Sequence, residues 1–287
     1  MPLKDTLLAL LVIGIWGLNV IAIKFAVAEM PPLLLMTLRF ILVALILVPF
    51  YRVPRQQWPF LIVLSMTFGS LHFALLFIGL QQAEAGTGAL LVQMGTPFAT
   101  LLAVIFLKEK LNTRKLLGLI AAFLGVIVLA GGPNLPHLMP MIILLFSALG
   151  WAISQLLIKQ GPPIKPLALA GWVALFSIPQ LALASALFES GQWQAMKEAS
   201  FISWGGLLYT VFLSSIVAYG LWYGLLRRHP VNLVVPFTLL MPVIAVLLGI
   251  WLMGDVMNLY KGIGGLLVIA GLGFIVMPWP LTRRLIS

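Results

Sequence analysis

The feature that most constrains this fold is a succession of apolar runs, each about as long as a lipid bilayer is thick. A membrane-spanning helix needs roughly 20 predominantly apolar residues, and the chain of 287 residues holds ten such runs. They are residues 6–27, 32–50, 58–80, 86–107, 113–131, 138–159, 166–188, 202–226, 231–253 and 259–277. The connections between them are short and mostly marked by Gly, Pro or Asn, which favour turns. We therefore predict an all-α integral membrane protein with ten transmembrane helices.

The composition supports lipid as the solvent. The chain is 62% hydrophobic and 8% charged, whereas a soluble domain carries about 25% charged residues. The net charge of +10 would suggest nucleic acid as the partner of a soluble protein. Here it is better explained by cytoplasmic loops, which are rich in Lys and Arg in membrane proteins. We therefore predict no nucleic-acid partner. The absence of cysteine rules out disulfides and thiolate metal sites.

The stretch from Gly79 to Gly125 occurs twice, with its second copy about 145 residues later. The matched pairs are Gly79 and Gly224, Pro97 and Pro242, Glu109 and Asp255, Asn112 and Asn258, Gly118 and Gly264, and Gly125 and Gly271. Trp16 and Lys24 match Trp151 and Lys159 at a slightly shorter offset. Such self-similarity predicts two divergent copies of one unit, residues 1–132 and 133–287, with five spans each.

The basic residues predict the orientation. With the N-terminus in the cytoplasm, 13 of the 17 Lys and Arg residues fall in cytoplasmic segments, two in outer segments and two within spans. This follows the positive-inside rule and also places the C-terminus in the cytoplasm. The cytoplasmic turn LKEKLNTRK is strongly basic, whereas its counterpart LMGDVMNLYK has lost three of the basic residues. An odd number of spans per copy therefore predicts an inverted repeat, common in secondary transporters whose substrates bind near the midplane between the repeats.

Several short motifs, taken in their order, resemble the EamA type of the drug/metabolite transporter superfamily. They are Trp16-Gly17-Leu18-Asn19, Lys24, Leu38-Arg39-Phe40, Pro97, Glu109-Lys110-Leu111, Gly150-Trp151-Ala152 and Pro242. The segments MPPLLLMTLRFILVA and VAYGLWYGLLRRHPVNLVVPFTLLMPV are most similar to the O-acetylserine/cysteine exporter group. The resemblance implies ten spans in two five-span repeats, and an inner-membrane exporter of amino acids or related metabolites.

Arg39 is the strongest candidate for a substrate-binding residue. It lies in the outer half of the second predicted span, where an arginine costs at least about 2.5 kcal/mol unless it faces a cavity or a partner. That span contains no acidic residue. A substrate carboxylate would suit the planar guanidinium. The alternatives are that Arg39 binds backbone carbonyls or extends to the interface. Lys24, near the outer end of the first span, either extends to the interface or belongs to an outer gate.

Three stripes of aromatic and polar residues occur at helical spacing. They are Trp16 and Asn19, then Trp151, Ser154 and Gln155, and then Tyr219, Trp222 and Tyr223. Residues three and four apart share a helix face, and aromatic walls with a few polar groups suit a small zwitterion. We predict that these stripes line a substrate cavity. The alternative is that the rings only pack between helices or lie at the membrane interface.

Further candidates lie deep in the membrane. His72 is the only titratable side chain there with a pKa near neutrality, so proton coupling would pass through it. Otherwise it is hydrogen-bonded between helices, and export follows the solute gradient. Gln93 and Thr238 occupy equivalent positions beside Pro97 and Pro242 and are candidate cavity residues. The two prolines would kink their spans and act as hinges.

These observations favour a secondary exporter that works by alternating access. A second hypothesis is an exporter of hydrophobic drugs, although an unpaired arginine argues against cationic substrates. A third is a non-transporting protein, either a partner subunit or an enzyme acting on lipid-linked substrates. The sequence contains no P-loop, HExxH, GxSxG or paired-carboxylate motif, which predicts a protein that is not an enzyme and needs no cofactor or metal. The expected partners are a small-molecule substrate, membrane lipid and, if transport is coupled, protons.

Overall fold

A computed structural model describes residues 1–82, 91–129, 138–241, 243–244, 247 and 258–276, and throughout these ranges the regular elements are helices. The helices are α1 Leu3–Val27, α2 Pro32–Leu47, α3 58–82, α4 Gly95–Phe106, α5 Thr113–Leu129, α6 Leu138–Gln160, α7 Pro166–Phe188, α8 Gln192–Glu198, α9 201–228, α10 Val231–Leu240 and α11 Leu259–Val276. Pro242 and Asp255 lie outside the described residues, as does the side chain of Lys24.

The helices have the length and surface of membrane spans. Within the described ranges, four are long and apolar enough to cross a bilayer: Arg55–Gly79, Leu138–Gln160, Pro166–Phe188 and Phe201–Arg228. Large apolar side chains such as Leu45, Leu101 and Leu183 are exposed on the outer surface, as expected where lipid replaces water. The all-α, multi-pass class is therefore confirmed, whereas the count of ten spans stays a prediction.

Two helices widen into π-helical turns at corresponding places. In α3 the wide segment is Ser65–Ala74, and in α9 it is Thr210–Ala218. The two segments begin 145 residues apart, which is the offset of the sequence repeat. Such turns occur frequently at functional sites. Both segments also carry polar side chains into an otherwise apolar helix.

Helices α5 and α11 pack unusually closely because glycines face each other across the contact. A Cβ atom on Gly118 would lie 2.7 Å from the carbonyl oxygen of Gly271, and one on Gly125 would lie 2.8 Å from that of Gly264. Later residues of α5 thus contact earlier residues of α11, so the two helices run antiparallel. Two further pairs of helices, one from each half of the chain, pack along each other: α2 with α7, and α1 with α9.

Pro97 does not bend a continuous helix, contrary to the simplest expectation from its position in the fourth apolar run. The helix is interrupted just before it, where the N–H groups of Met94 and Thr96 donate to carbonyls three residues back, each at 3.1 Å. Helix α4 then begins at Gly95, so Pro97 lies in its first turn. There the missing N–H of a proline has no partner to lose. The break lies beside Gln93.

Candidate functional site

Arg39 is buried at the contact between the two halves of the chain, with 2% of its surface exposed. Its Nε donates to Ser215 Oγ at 2.7 Å, and its Nη2 donates to Ser214 Oγ at 3.3 Å. Both serines belong to the π-helical segment of α9. Among the described residues Arg39 thus bonds to side chains and to no backbone carbonyl, and it does not extend to the surface; these were the two alternatives that the sequence left open.

The guanidinium of Arg39 keeps an unused donor. Within the described part of the chain, its buried Nη1 has no hydrogen-bond partner. The charge is otherwise flanked by an aromatic ring, since Cζ lies 5.2 Å from the centre of the Phe73 ring. A buried donor without a partner costs about 1–3 kcal/mol, and more when it is charged. This arrangement favours a ligand that brings its own acceptor.

The aromatic stripes of α1 and α9 are in contact. The ring of Trp16 lies 4.7 Å from that of Tyr219 and 5.1 Å from that of Trp222, measured between centres. Tyr223 follows at 5.7 Å from Tyr219, and Phe68 of α3 lies 5.2 Å from Tyr219. Trp222 and Tyr223 are buried, so they do not form an interfacial belt.

The α6 stripe joins this cluster only in part. Gln155 is fully buried, and its Oε1 accepts a hydrogen bond from Trp222 Nε1 at 2.8 Å. Ser154 instead donates to Thr67 of α3 at 3.0 Å. Trp151 packs against Gly95 of α4, where a Cβ atom would lie 2.8 Å from the indole ring. Gln155 therefore links the α6 stripe to the aromatic cluster, whereas the other two residues hold α6 to its neighbours.

Two more predicted site residues carry buried polar atoms without a partner. Asn19 is 9% exposed and Trp16 is 5% exposed. Among the described residues, neither Asn19 Oδ1 nor Trp16 Nε1 finds a hydrogen-bond partner. Like Arg39 Nη1, these two atoms are a buried donor and a buried acceptor that the described residues leave unused.

His72 is held between helices α3 and α6. Its Nδ1 lies 3.2 Å from the carbonyl oxygen of Ser147, and the hydroxyl of Ser147 donates to the carbonyl of His72 at 2.8 Å. The same nitrogen lies 3.2 Å from the Ser147 hydroxyl, so one ring nitrogen of His72 is engaged by Ser147. The ring also stacks on Phe68, with 5.6 Å between centres. This is the interhelical bonding that the sequence left open as the alternative to proton coupling.

Thr238 lies at the contact of α4 with α10, and Gln93 lies just before α4. The hydroxyls of Thr238 and Thr96 are 2.8 Å apart, and Thr238 also donates to the Val235 carbonyl at 2.8 Å. Gln93 is buried at the helix break. A polar pair, Thr96 and Thr238, therefore joins α4 to α10.

A small cavity lies between α2, α3, α7 and α9. Its lining combines aromatic rings with small side chains: Phe40, Val43, Phe68, Ala170, Val173, Ala174, Ser215, Tyr219 and Tyr223. Ser215 is the residue that binds Arg39, so the guanidinium lies one hydrogen bond behind the cavity wall. In this structure it has room for about one water molecule, far less than the roughly 300–1,000 Å³ of small-molecule sites.

Sequence reasoning missed several residues of this region, among them Ser214, Ser215 and Gln180. Gln180 follows Pro179 in α7 and donates to the Phe176 carbonyl and to Ser65 Oγ, each at 2.8 Å, while Ser70 donates to it in turn. Ser70 and Ser215 are 145 residues apart, the repeat offset. Comparing polar residues at that offset would have found this pair.

Comparison with known proteins places the chain in a family. The model of the EamA-like transporter family matches residues 4–131 and again 138–277. A solved crystal structure of a protein with 21% sequence identity superposes with a TM-score of 0.82 over 99% of each chain. At this level of sequence identity, the likeness shows that the two proteins share a fold.

Two bacterial relatives match over nearly the full length. A Salmonella typhimurium protein named "probable amino-acid metabolite efflux pump" is 32% identical over 95% of this chain and 94% of its own. The protein of that name from Escherichia coli is 30% identical over the same shares. The chain therefore belongs to the EamA-like transporter family, and it is a transporter rather than an enzyme.

Proposed function

We propose that this transporter is a secondary exporter of amino acids or related small metabolites, and that Arg39 binds the substrate carboxylate. The observation that carries the proposal is the buried Nη1 of Arg39, which has no partner among the described residues although the guanidinium lies between the two halves of the chain. The names of the two bacterial relatives support the same substrate class.

The unused polar atoms complement a zwitterion. A guanidinium binds a carboxylate through two parallel N–H donors, and Ser214 and Ser215 would hold it in place. Asn19 Oδ1 would accept a hydrogen bond from the substrate ammonium group. The aromatic cluster around Tyr219 would attract the ammonium group through its ring faces and shield it from lipid.

The proposed architecture is two inverted five-helix repeats, residues 1–132 and 133–287, which rock about a shared midplane cavity. The antiparallel packing of α5 with α11 supports inversion, because these helices carry the matched glycines of the two copies. The spacing of the π-helical segments, which equals the repeat offset, supports the repeat itself. The distribution of basic residues supports an inner-membrane protein with both termini in the cytoplasm.

Export down the solute gradient has more support than proton coupling through His72. The contacts of His72 with Ser147 commit one ring nitrogen to holding α3 against α6. A proton carrier must exchange its hydrogen with water during the cycle, which would require these contacts to open.

Counterflow of labelled amino acids into proteoliposomes tests the proposal, with O-acetylserine and cysteine among the substrates. Arg39→Gln keeps a polar side chain but removes the charge, and we expect it to lower the initial rate at least about tenfold, since charged hydrogen bonds contribute about 1.5–3 kcal/mol. The matched control is Arg55→Gln, because Arg55 is exposed and stacks on Trp58. Equal rates for both variants would contradict the role of Arg39.

The apolar lining of the cavity favours one other candidate, an exporter of hydrophobic compounds. Such a protein would transport apolar dyes regardless of the charge at position 39 and would show no amino-acid counterflow. Counterflow by the purified chain would also exclude a non-transporting partner subunit.

A further inference from the structure

Glu109 ends the turn after α4 and reaches across to the second half of the chain. Its two carboxylate oxygens accept hydrogen bonds from the backbone N–H groups of Val231 at 2.8 Å and Asn232 at 3.0 Å. These N–H groups belong to the first turn of α10. The preceding residue, Lys108, has a left-handed backbone with φ of 53°. The chain therefore turns sharply at the end of α4, and the carboxylate meets the start of α10.

Glu189 makes the same contact at the end of α7. Its oxygens accept from the N–H groups of Leu33 at 2.6 Å and Leu34 at 2.9 Å, in the first turn of α2. Ser185 also donates to this carboxylate at 2.7 Å. Each glutamate thus satisfies two N–H groups that have no partner within their own helix. A negative charge at a helix start is favourable.

The two contacts join corresponding helices of the two halves. Helix α4 occupies the fourth apolar run and α10 the ninth, while α7 and α2 occupy the seventh and second. Since the predicted copies contain five runs each, both contacts link a helix to its own counterpart. In both, the end of one helix touches the start of the other. With the orientation predicted by the basic residues, Glu109 lies on the cytoplasmic side and Glu189 on the outer side.

We propose that Glu109 and Glu189 are the latches of the two gates, the first closing the cytoplasmic side and the second closing the outer side. The inference rests on the alternating-access architecture of the proposed function. Both latches are closed in this structure. Opening to one side separates the helix ends on that side, so each latch breaks in a different half of the cycle.

The surroundings of the latches strengthen each of them. On the cytoplasmic side, Lys115 Nζ donates to Asn232 Oδ1 at 2.9 Å, and Asn232 Nδ2 donates to the Lys110 carbonyl at 3.3 Å. On the outer side, Ser200 donates to Glu29 through its backbone N–H at 2.5 Å and its hydroxyl at 2.9 Å. These secondary contacts also cross between the halves, so they would break together with the latch beside them.

Cysteine accessibility tests the latches without any substrate. The chain contains no cysteine, so Ala174→Cys would introduce a single thiol in the cavity wall. A membrane-impermeant maleimide would be applied separately to right-side-out and inside-out vesicles. We expect Glu109→Gln to raise the labelling rate from the cytoplasmic side about fivefold to tenfold and to lower it from outside, because two charged hydrogen bonds are weakened. Glu189→Gln should do the reverse.

The matched control is Glu198→Gln. Glu198 binds Gln194 within the same short helix α8 and links no two halves, so its replacement should leave both labelling rates unchanged. If Glu109 and Glu189 were only helix caps, both variants would lower the melting temperature and shift labelling to the same side or to neither, and the inference would be wrong. Should Glu109→Gln fail to fold, Lys115→Met removes the contact to Asn232 and the positive charge that interacts with Glu109, and it must show the same direction with a smaller change.

The labelling result is independent of the proposed substrate. If the two glutamate variants shift the labelling rates in opposite directions but no amino-acid counterflow is found, the latches are supported and the role of Arg39 is refuted. If counterflow depends on Arg39 but the labelling rates do not shift in opposite directions, the role of Arg39 is supported and the latches are refuted.

Discussion

At the scale of single residues, the proposed site depends on the charge of Arg39, which is costly to place within a bilayer. Arg39 could be predicted from the sequence because a guanidinium in an apolar run must find a partner or a cavity. Its partners could not be predicted. Serines such as Ser214 and Ser215 are common in membrane helices, where they can bond to their own backbone, so only the packing of α2 against α9 shows that they hold Arg39.

We expect replacement of Ser215, which accepts a hydrogen bond from Arg39, to affect substrate affinity more than replacement of Ser70, its counterpart in the other half. Ser215→Ala removes the acceptor of Nε at 2.7 Å and frees the guanidinium to turn away from the cavity. We expect KM for the amino acid to rise about threefold to tenfold, the effect of one hydrogen bond to a charged group. Ser70→Ala is the control, because Ser70 binds Gln180 instead of a charge. A similar rise in KM for both variants would mean that Ser215 acts only through packing.

At the scale of helices, close backbone contact makes glycine necessary in α5 and α11. Gly125→Ala would bring a Cβ atom within 2.7 Å of the Val268 backbone nitrogen. Such overpacking costs about 1–3 kcal/mol, so we expect the melting temperature of the purified protein to fall by at least about 3 °C. Gly273→Ala, also in the α5–α11 pair, meets nothing within 4 Å and should leave the melting temperature within about 1 °C. Equal losses in both variants would exclude the glycine contact as the cause.

The helices themselves follow from the apolar runs, but two of their details do not. A π-helical segment has about one more residue per turn than an α-helix. No residue type in Ser65–Ala74 of α3 or in Thr210–Ala218 of α9 requires this wider turn. Proline predicted a kink at Pro97, whereas the helix is interrupted before it, at Gln93 and Met94. These details result from tertiary packing, which local sequence patterns do not encode.

At the scale of the whole molecule, two halves of similar sequence face each other with different chemistry. The sequence showed the repeat and the asymmetry of its basic turns. It did not show that Glu109 and Glu189 connect the halves, because the contacting residues are far apart in the chain. Glu109 and Val231 are 122 positions apart, and Glu189 and Leu33 are 156 positions apart. One half contributes Arg39 and the other contributes the serines that hold it, so the proposed site requires both.

The central claim is that Arg39 recognises a carboxylate between the two halves, and counterflow with paired substrates tests it most directly. Initial rates would be measured for an amino acid and for the amine that lacks its carboxylate, with the native protein and with Arg39→Gln. We expect the native protein to prefer the amino acid at least about tenfold, and Arg39→Gln to abolish that preference by slowing the amino acid alone, since charged hydrogen bonds contribute about 1.5–3 kcal/mol. If the native protein transports the amine as fast as the amino acid, or if Arg39→Gln slows both substrates equally, the account of the site is wrong.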